Sequence, residues 1–133
     1  MFWTTAAIVL VLFMVIDLIW LGFIGKPLYQ KTIGPLLKKD VNWTAALIFY
    51  ALFVLGLTFF AVDPAVQANR LTDALVLGGF FGLLMYATYD LTNLATLKDW
   101  PVSITVIDLL WGTALGASVS TLTLLLMRAF GWV

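Results

Sequence analysis

A chain of 133 residues that is 63% apolar and only 11% charged is too hydrophobic for a water-soluble domain of this length, so lipid is its expected solvent. It has no cysteine or histidine, which removes disulfides, thiolate nucleophiles, imidazole bases and the usual zinc and haem ligand sets. A formal net charge of zero without a basic arm or patch argues against nucleic acid as a partner.

Because about 20 apolar residues cross a bilayer core, residues 1–133 read as one all-α transmembrane domain, an integral membrane four-helix bundle. Its helices are expected over residues 2–25, 43–62, 71–97 and 101–127. The first lacks a basic n-region and carries an internal Asp17, so it reads as a retained helix rather than a signal peptide. Lys26-Pro27 is expected to end it. The stretch Lys26 to Asn42 then places Lys26, Lys31, Lys38 and Lys39 around Leu28, Tyr29, Ile33, Leu36 and Leu37. It reads as a basic loop, with a short amphipathic segment along the headgroups as the alternative.

The second helix, from Trp43, is expected to end at Val62 before Asp63-Pro64. The third is separated from the fourth only by Lys98, Asp99 and Trp100, and Pro101 suits the first turn of the fourth, where its missing N–H is harmless. These two helices should form a tight antiparallel hairpin. Lys26, Lys31, Lys38, Lys39 and Lys98 fall on one side of the membrane, Arg70 and Arg128 on the other. The imbalance favours the lysine side as cytoplasmic, with both termini outside the cytoplasm, in a multi-pass membrane protein. Trp43 and Trp100 would then mark the cytoplasmic interface, and Trp3 and Trp132 the opposite one.

Two stretches match: Val15-Ile16-Asp17-Leu18-Ile19-Trp20 in the first helix and Val106-Ile107-Asp108-Leu109-Leu110-Trp111 in the fourth. The helices run in opposite directions, so the match has inverted-repeat character, as in transporter folds with sites at the repeat interface. Counted from the expected helix ends, Asp17, Asp90 and Asp108 lie roughly 10 to 13 Å below the cytoplasmic surface, and Tyr50 falls in the same layer. Gly79, Gly82, Tyr86, Asp90 and Asn93 recur at helical spacing on the third helix, as do Thr105, Asp108, Gly112, Gly116 and Thr123 on the fourth, so both stripes should face inward. Gly78 with Gly82 and Gly112 with Gly116 permit close backbone approach, either within the bundle or in a homodimer.

A carboxylate at this depth costs at least about 2.5 to 3.5 kcal/mol, and no lysine or arginine lies inside a span to pair with it. Asp17, Asp90 and Asp108 are therefore expected to converge on one pocket that holds protons or a cation, completed by Tyr50, Tyr86, Tyr89 and Asn93. The bland alternative is that neutral aspartates merely hydrogen-bond the helices together, with Trp20 and Trp111 serving as packing.

The run Tyr86-Ala87-Thr88-Tyr89-Asp90-Leu91-Thr92-Asn93-Leu94-Ala95-Thr96, followed by Trp100-Pro101, Asp108 and Trp111-Gly112, resembles a family of small bacterial predicted membrane proteins, domain of unknown function 2177. The likeness covers essentially the whole chain. It implies a four-helix membrane protein, with Tyr89, Asp90, Thr92, Asn93, Asp108 and Trp111 as motif positions, and it implies no substrate. The leading functional expectation is an inner-membrane protein that binds or transports a proton, a cation or a small cationic ligand. Two alternatives stand beside it: a non-catalytic lipid-binding or membrane-complex subunit, and a lipid-modifying enzyme in which Asp17, Asp90 and Asp108 hold Mg²⁺ or another hard cation.

Overall fold

A proline inside a helix removes one amide donor and drives its ring toward the carbonyl four residues back, so a helix that continues through it needs a local change of pitch. The computed structural model describes residues 1–133, and its first two membrane helices continue in this way. Helix α1 (Phe2–Ile19) passes into a π-helical turn (Trp20–Gly25), then α2 (Lys26–Ile33) and a 3-10 turn (Gly34–Leu36). In the π turn the Lys26 amide donates to the Leu21 carbonyl, five residues back, and Pro27 follows at once. The expected end at Lys26-Pro27 is thus corrected: the wider turn accommodates the proline, and the rod runs 35 residues to Leu36. Much of the expected loop is helix.

The second span repeats the device. Helix α3 (Trp43–Leu57) is capped by Asn42, whose side-chain oxygen accepts from the Ala45 amide at 3.1 Å, and a π turn (Thr58–Val62) leads into α4 (Asp63–Ala68). Here the Asp63 amide donates to the Thr58 carbonyl just before Pro64. The span therefore reaches Ala68 instead of Val62 and stops at Asn69, whose φ of 51° is left-handed. Helices α5 (Leu71–Thr96) and α6 (Val102–Ala129) are uninterrupted, with Pro101 as the N-cap of α6 rather than a first-turn residue. All four spans are long and apolar enough to cross a membrane, and the chain is a multi-pass membrane protein.

Glycine sets the register of the α5–α6 hairpin. Gly82 lies so close to the Gly112 carbonyl, and Gly116 to the Gly78 carbonyl, that a Cβ on either would overlap backbone. Without a hydrophobic driving force between helices in lipid, such close contact is what holds them together. Both expected stripes face inward: Gly79, Gly82 and Asp90 are buried on α5, with Tyr86 and Asn93 half-buried, and Thr105, Asp108, Gly112, Gly116 and Thr123 are buried on α6. The glycine patterns are occupied within the chain and offer no face to a second copy.

The main core joins Val9 and Phe13 of α1, Phe53 and Leu57 of α3, Ala61 and Val62 of the second π turn, and Leu115 and Val119 of α6. Helices α1 and α6 run antiparallel, with the Thr5 hydroxyl 3.6 Å from the Met127 sulfur near one end. At the opposite end Ile33 packs on Trp100 and Ile104. Trp100, expected at the interface, is only 7% exposed, because its indole turns inward and donates to Thr105 Oγ1 at 3.1 Å. Trp3, Trp43 and Trp132 stay on the outside.

Candidate functional site

The matching Asp-x-x-Trp stretches of α1 and α6 meet at their tryptophans. The indoles of Trp20 and Trp111 stack with centroids 4.3 Å apart and planes 8° from parallel. On antiparallel helices the aspartates, each three residues before its tryptophan, must then lie on opposite sides of the stack, about 9 Å apart along the bundle at 1.5 Å per residue. The shared depth expected for Asp17, Asp90 and Asp108 is corrected accordingly. It counted Asp17 from a helix end at Gly25, whereas the rod continues past Pro27. The sequence match is a local relation of two antiparallel helices, centred on the indole pair.

On the side nearer the α5–α6 turn, two acids do come together. Asp90 is 1% exposed and lies beside Asp108. Neither Asp90 oxygen meets a hydrogen-bond donor. Asp108, 8% exposed, accepts from the Tyr29 hydroxyl at 2.6 Å through Oδ1, and that hydroxyl accepts from Trp20 Nε1 at 3.2 Å. Gly25 makes this pairing of Trp20 with Tyr29 possible. It is buried between them, and a Cβ there would stand 3.0 Å from both Trp20 Nε1 and Tyr29 Cε2. The π turn and its glycine thus shape one wall of the site.

Asp17 occupies the other side of the stack. It is 7% exposed and lies against Trp111, whose buried Nε1 has no hydrogen-bond partner, so the Asp17 carboxyl is the acceptor at hand. Tyr50 belongs here, within electrostatic reach of Asp17 and with its ring 5.6 Å from that of Phe13. Tyr86, packed over Gly112, feels both Asp17 and Asp108. Tyr89 and Asn93 neighbour each other at the rim, where the Tyr89 ring lies 5.7 Å from that of Trp100. Thr92 is exposed and takes no part in the pocket.

The result is a line of polar groups, Asp17, Trp111, Trp20, Tyr29, Asp108 and Asp90, running through the bundle toward its loop end. The stacked indoles divide it into two parts, Asp17 with Trp111 on one side and Trp20, Tyr29, Asp108 and Asp90 on the other. A hard divalent ion is not well served, since it wants about six oxygens and no three acidic side chains are grouped to hold one. Tyr29 is the residue that sequence reasoning missed. Its signal was its spacing of four from Ile33, which puts both on one helical face once Lys26–Ile33 is helix.

Comparison with curated proteins and with solved structures yields no match. The family model of predicted membrane proteins designated DUF2177 matches residues 2–125, nearly the whole chain including every residue of the polar line. With its four spans and the central run from Tyr86 to Thr96 inside that match, the chain belongs to this family of predicted membrane proteins, domain of unknown function 2177.

Proposed function

We propose that the Asp90–Asp108 pair binds and releases a proton, or a small monovalent cation in its place, and that the chain is a carrier or ion-coupled component of a bacterial inner membrane. The observation that carries this reading is Asp90, 1% exposed with both oxygens lacking a donor. An ionised carboxylate so placed, with no lysine or arginine in the spans, carries an uncompensated desolvation penalty of several kcal/mol. A proton between Asp90 and Asp108 removes it, leaving one negative charge that the Tyr29 hydroxyl stabilises through Asp108. Asp17, beyond the stacked indoles, is a second station, reached when the Trp20–Trp111 stack or the Trp20–Tyr29 contact opens. The five lysines of the loop end support a topology in which that end faces the cytoplasm and both termini lie outside it.

A second reading, a lipid-binding subunit, draws on a groove of about 370 Å³ lined by Leu75, Ala114, Ala117, Ser118, Thr121 and Leu122 on the outer face of the hairpin. One experiment separates the two. A hydrophobic carbodiimide couples to protonated carboxyls in apolar surroundings, so the protein in liposomes should form an adduct, located by mass spectrometry, at Asp90 or Asp108. Coupling should decline as the pH rises and the shared proton is lost. Absence of an adduct on either residue at every pH would refute the proton site and leave the lipid reading.

A further inference from the structure

We infer that the segment Lys26–Leu36 is a strap that closes over the Asp90–Asp108 pair, hinged at the π turn Trp20–Gly25 and latched by Tyr29 and Ile33. As a gate for ions it rests on the proton-site reading; as a moving segment it does not.

The hinge is written in the backbone. Within the π turn the Lys26 amide reaches five residues back instead of four, and Pro27 cannot supply the next ladder bond, so stiffness is lowest where the strap leaves α1. Gly25 adds the clearance that lets Trp20 and Tyr29 close over the joint. Beyond the hinge the strap is held by a hydrogen bond and by an apolar contact, in which Leu28 packs beside Ile33. The Tyr29 hydroxyl donates to Asp108 at 2.6 Å, and Ile33 inserts against Trp100 and Ile104.

The rest of the segment is loosely seated. Lys26, Pro27, Gln30, Lys31 and Leu36 are exposed. A cavity of about 310 Å³, lined by Thr32, Ile33, Pro35, Leu36, Lys98 and Asp99, separates the far end of the strap from the α5–α6 turn. A segment with a softened joint at one end, a few contacts along one side and an open cleft beside its far end has the makings of a lid. The atom under its main latch is a carboxyl oxygen of the acid pair. Lifting Tyr29 therefore exposes Asp108 to the loop side and, through the Tyr29–Trp20 bond, loosens the indole stack that screens Asp17.

Amide hydrogen exchange on the full chain in liposomes reads this opening directly. Tyr29→Phe keeps the ring and removes the latch, and losing a hydrogen bond of this kind should speed exchange over residues 26–36 about tenfold. Residues 58–68, at the other π turn, should be unaffected. Equal exchange over 26–36 in the variant and the parent would overturn the strap. The absence of native cysteine allows a second test: Ile33→Cys with Ile104→Cys, cross-linked closed and reopened by reductant. Coupling of a water-soluble carbodiimide to Asp90 or Asp108 should be at least about tenfold slower in the locked form. Equal rates, with adduct in both, would sink the gate. If the hydrophobic reagent also fails to couple, the proton site falls, while the exchange result still decides for or against the strap.

Discussion

Replacing Gly82 by alanine should separate α5 from α6, and the neighbouring Gly79 provides its control. A Cβ at position 82 would stand 2.8 Å from the Gly112 carbonyl carbon and closer still to its oxygen, where ordinary carbon contacts lie at about 3.5 to 4.0 Å. The helices must retreat by roughly 1 Å, and a gap of that size forfeits a quarter to a half of each dispersion contact along the seam. Overpacking of this kind costs about 1 to 3 kcal/mol, and the upper end applies because the obstacle is backbone and cannot rotate away. Alanine regains up to about 1 kcal/mol of helix propensity, which leaves a net loss of about 2 kcal/mol. At Gly79 the same Cβ meets Ala117 Cβ at 3.5 Å and Thr113 Cγ2 at 3.6 Å, both ordinary contacts, so Gly79→Ala should be neutral or slightly stabilising. Reversible unfolding in mixed micelles, followed by circular dichroism, measures both. Stabilities of the two variants within about 0.5 kcal/mol of one another would refute the argument that backbone contact at Gly82 sets the hairpin.

Gly25→Ala should push Trp20 and Tyr29 apart, since its Cβ would stand 3.0 Å from each, and should weaken the near-ultraviolet signal of the Trp20–Trp111 stack at a loss of about 1 kcal/mol; an unchanged signal would mean that the π turn yields elsewhere. Asp90→Asn should leave the fold intact, because the amide matches the acid in size and needs no proton, while carbodiimide coupling at Asp108 loses the pH profile it has in the parent. An unchanged profile would show that the two acids do not share a proton. A C-terminal fusion to a reporter that is active only outside the cytoplasm should be active if the proposed sidedness holds, and a cytoplasmic signal would invert the assignment of sides.

The fourth span and its hairpin with the third were legible because their signals are local. Glycine and polar residues recur at three- and four-residue steps on otherwise apolar helices, and that periodicity alone turns Asp90 and Asp108 inward. The first two spans were read too short for a single reason. Lys26-Pro27 and Asp63-Pro64 are ordinary stop signals, and nothing in them reveals that a preceding turn has widened to admit the proline. That misreading carried over into the site. Depths counted from Gly25 draw Asp17 into the layer of the other acids, and a basic loop over Lys26 to Asn42 hides Tyr29, which donates to Asp108. Trp100 fits the aromatic-belt rule in position but not in direction, because Ile33 covers it once the strap is helical.

The placement of the two π turns has a further consequence for how the molecule stores mobility. One interrupts the first span near its loop end, and the other interrupts the second span toward the opposite face, whereas α5 and α6 run unbroken along a glycine seam. The protein is built as a frame and a jointed arm. The frame carries Asp90 and Asp108; the arm carries Asp17 just before its first joint, Trp20 within it and Tyr29 just beyond it, and its second joint lies toward the opposite end of the bundle. Motion at the first joint would then be felt at Tyr29 and its bond to Asp108, while motion at the second would be felt in the apolar core around Ala61 and Val62.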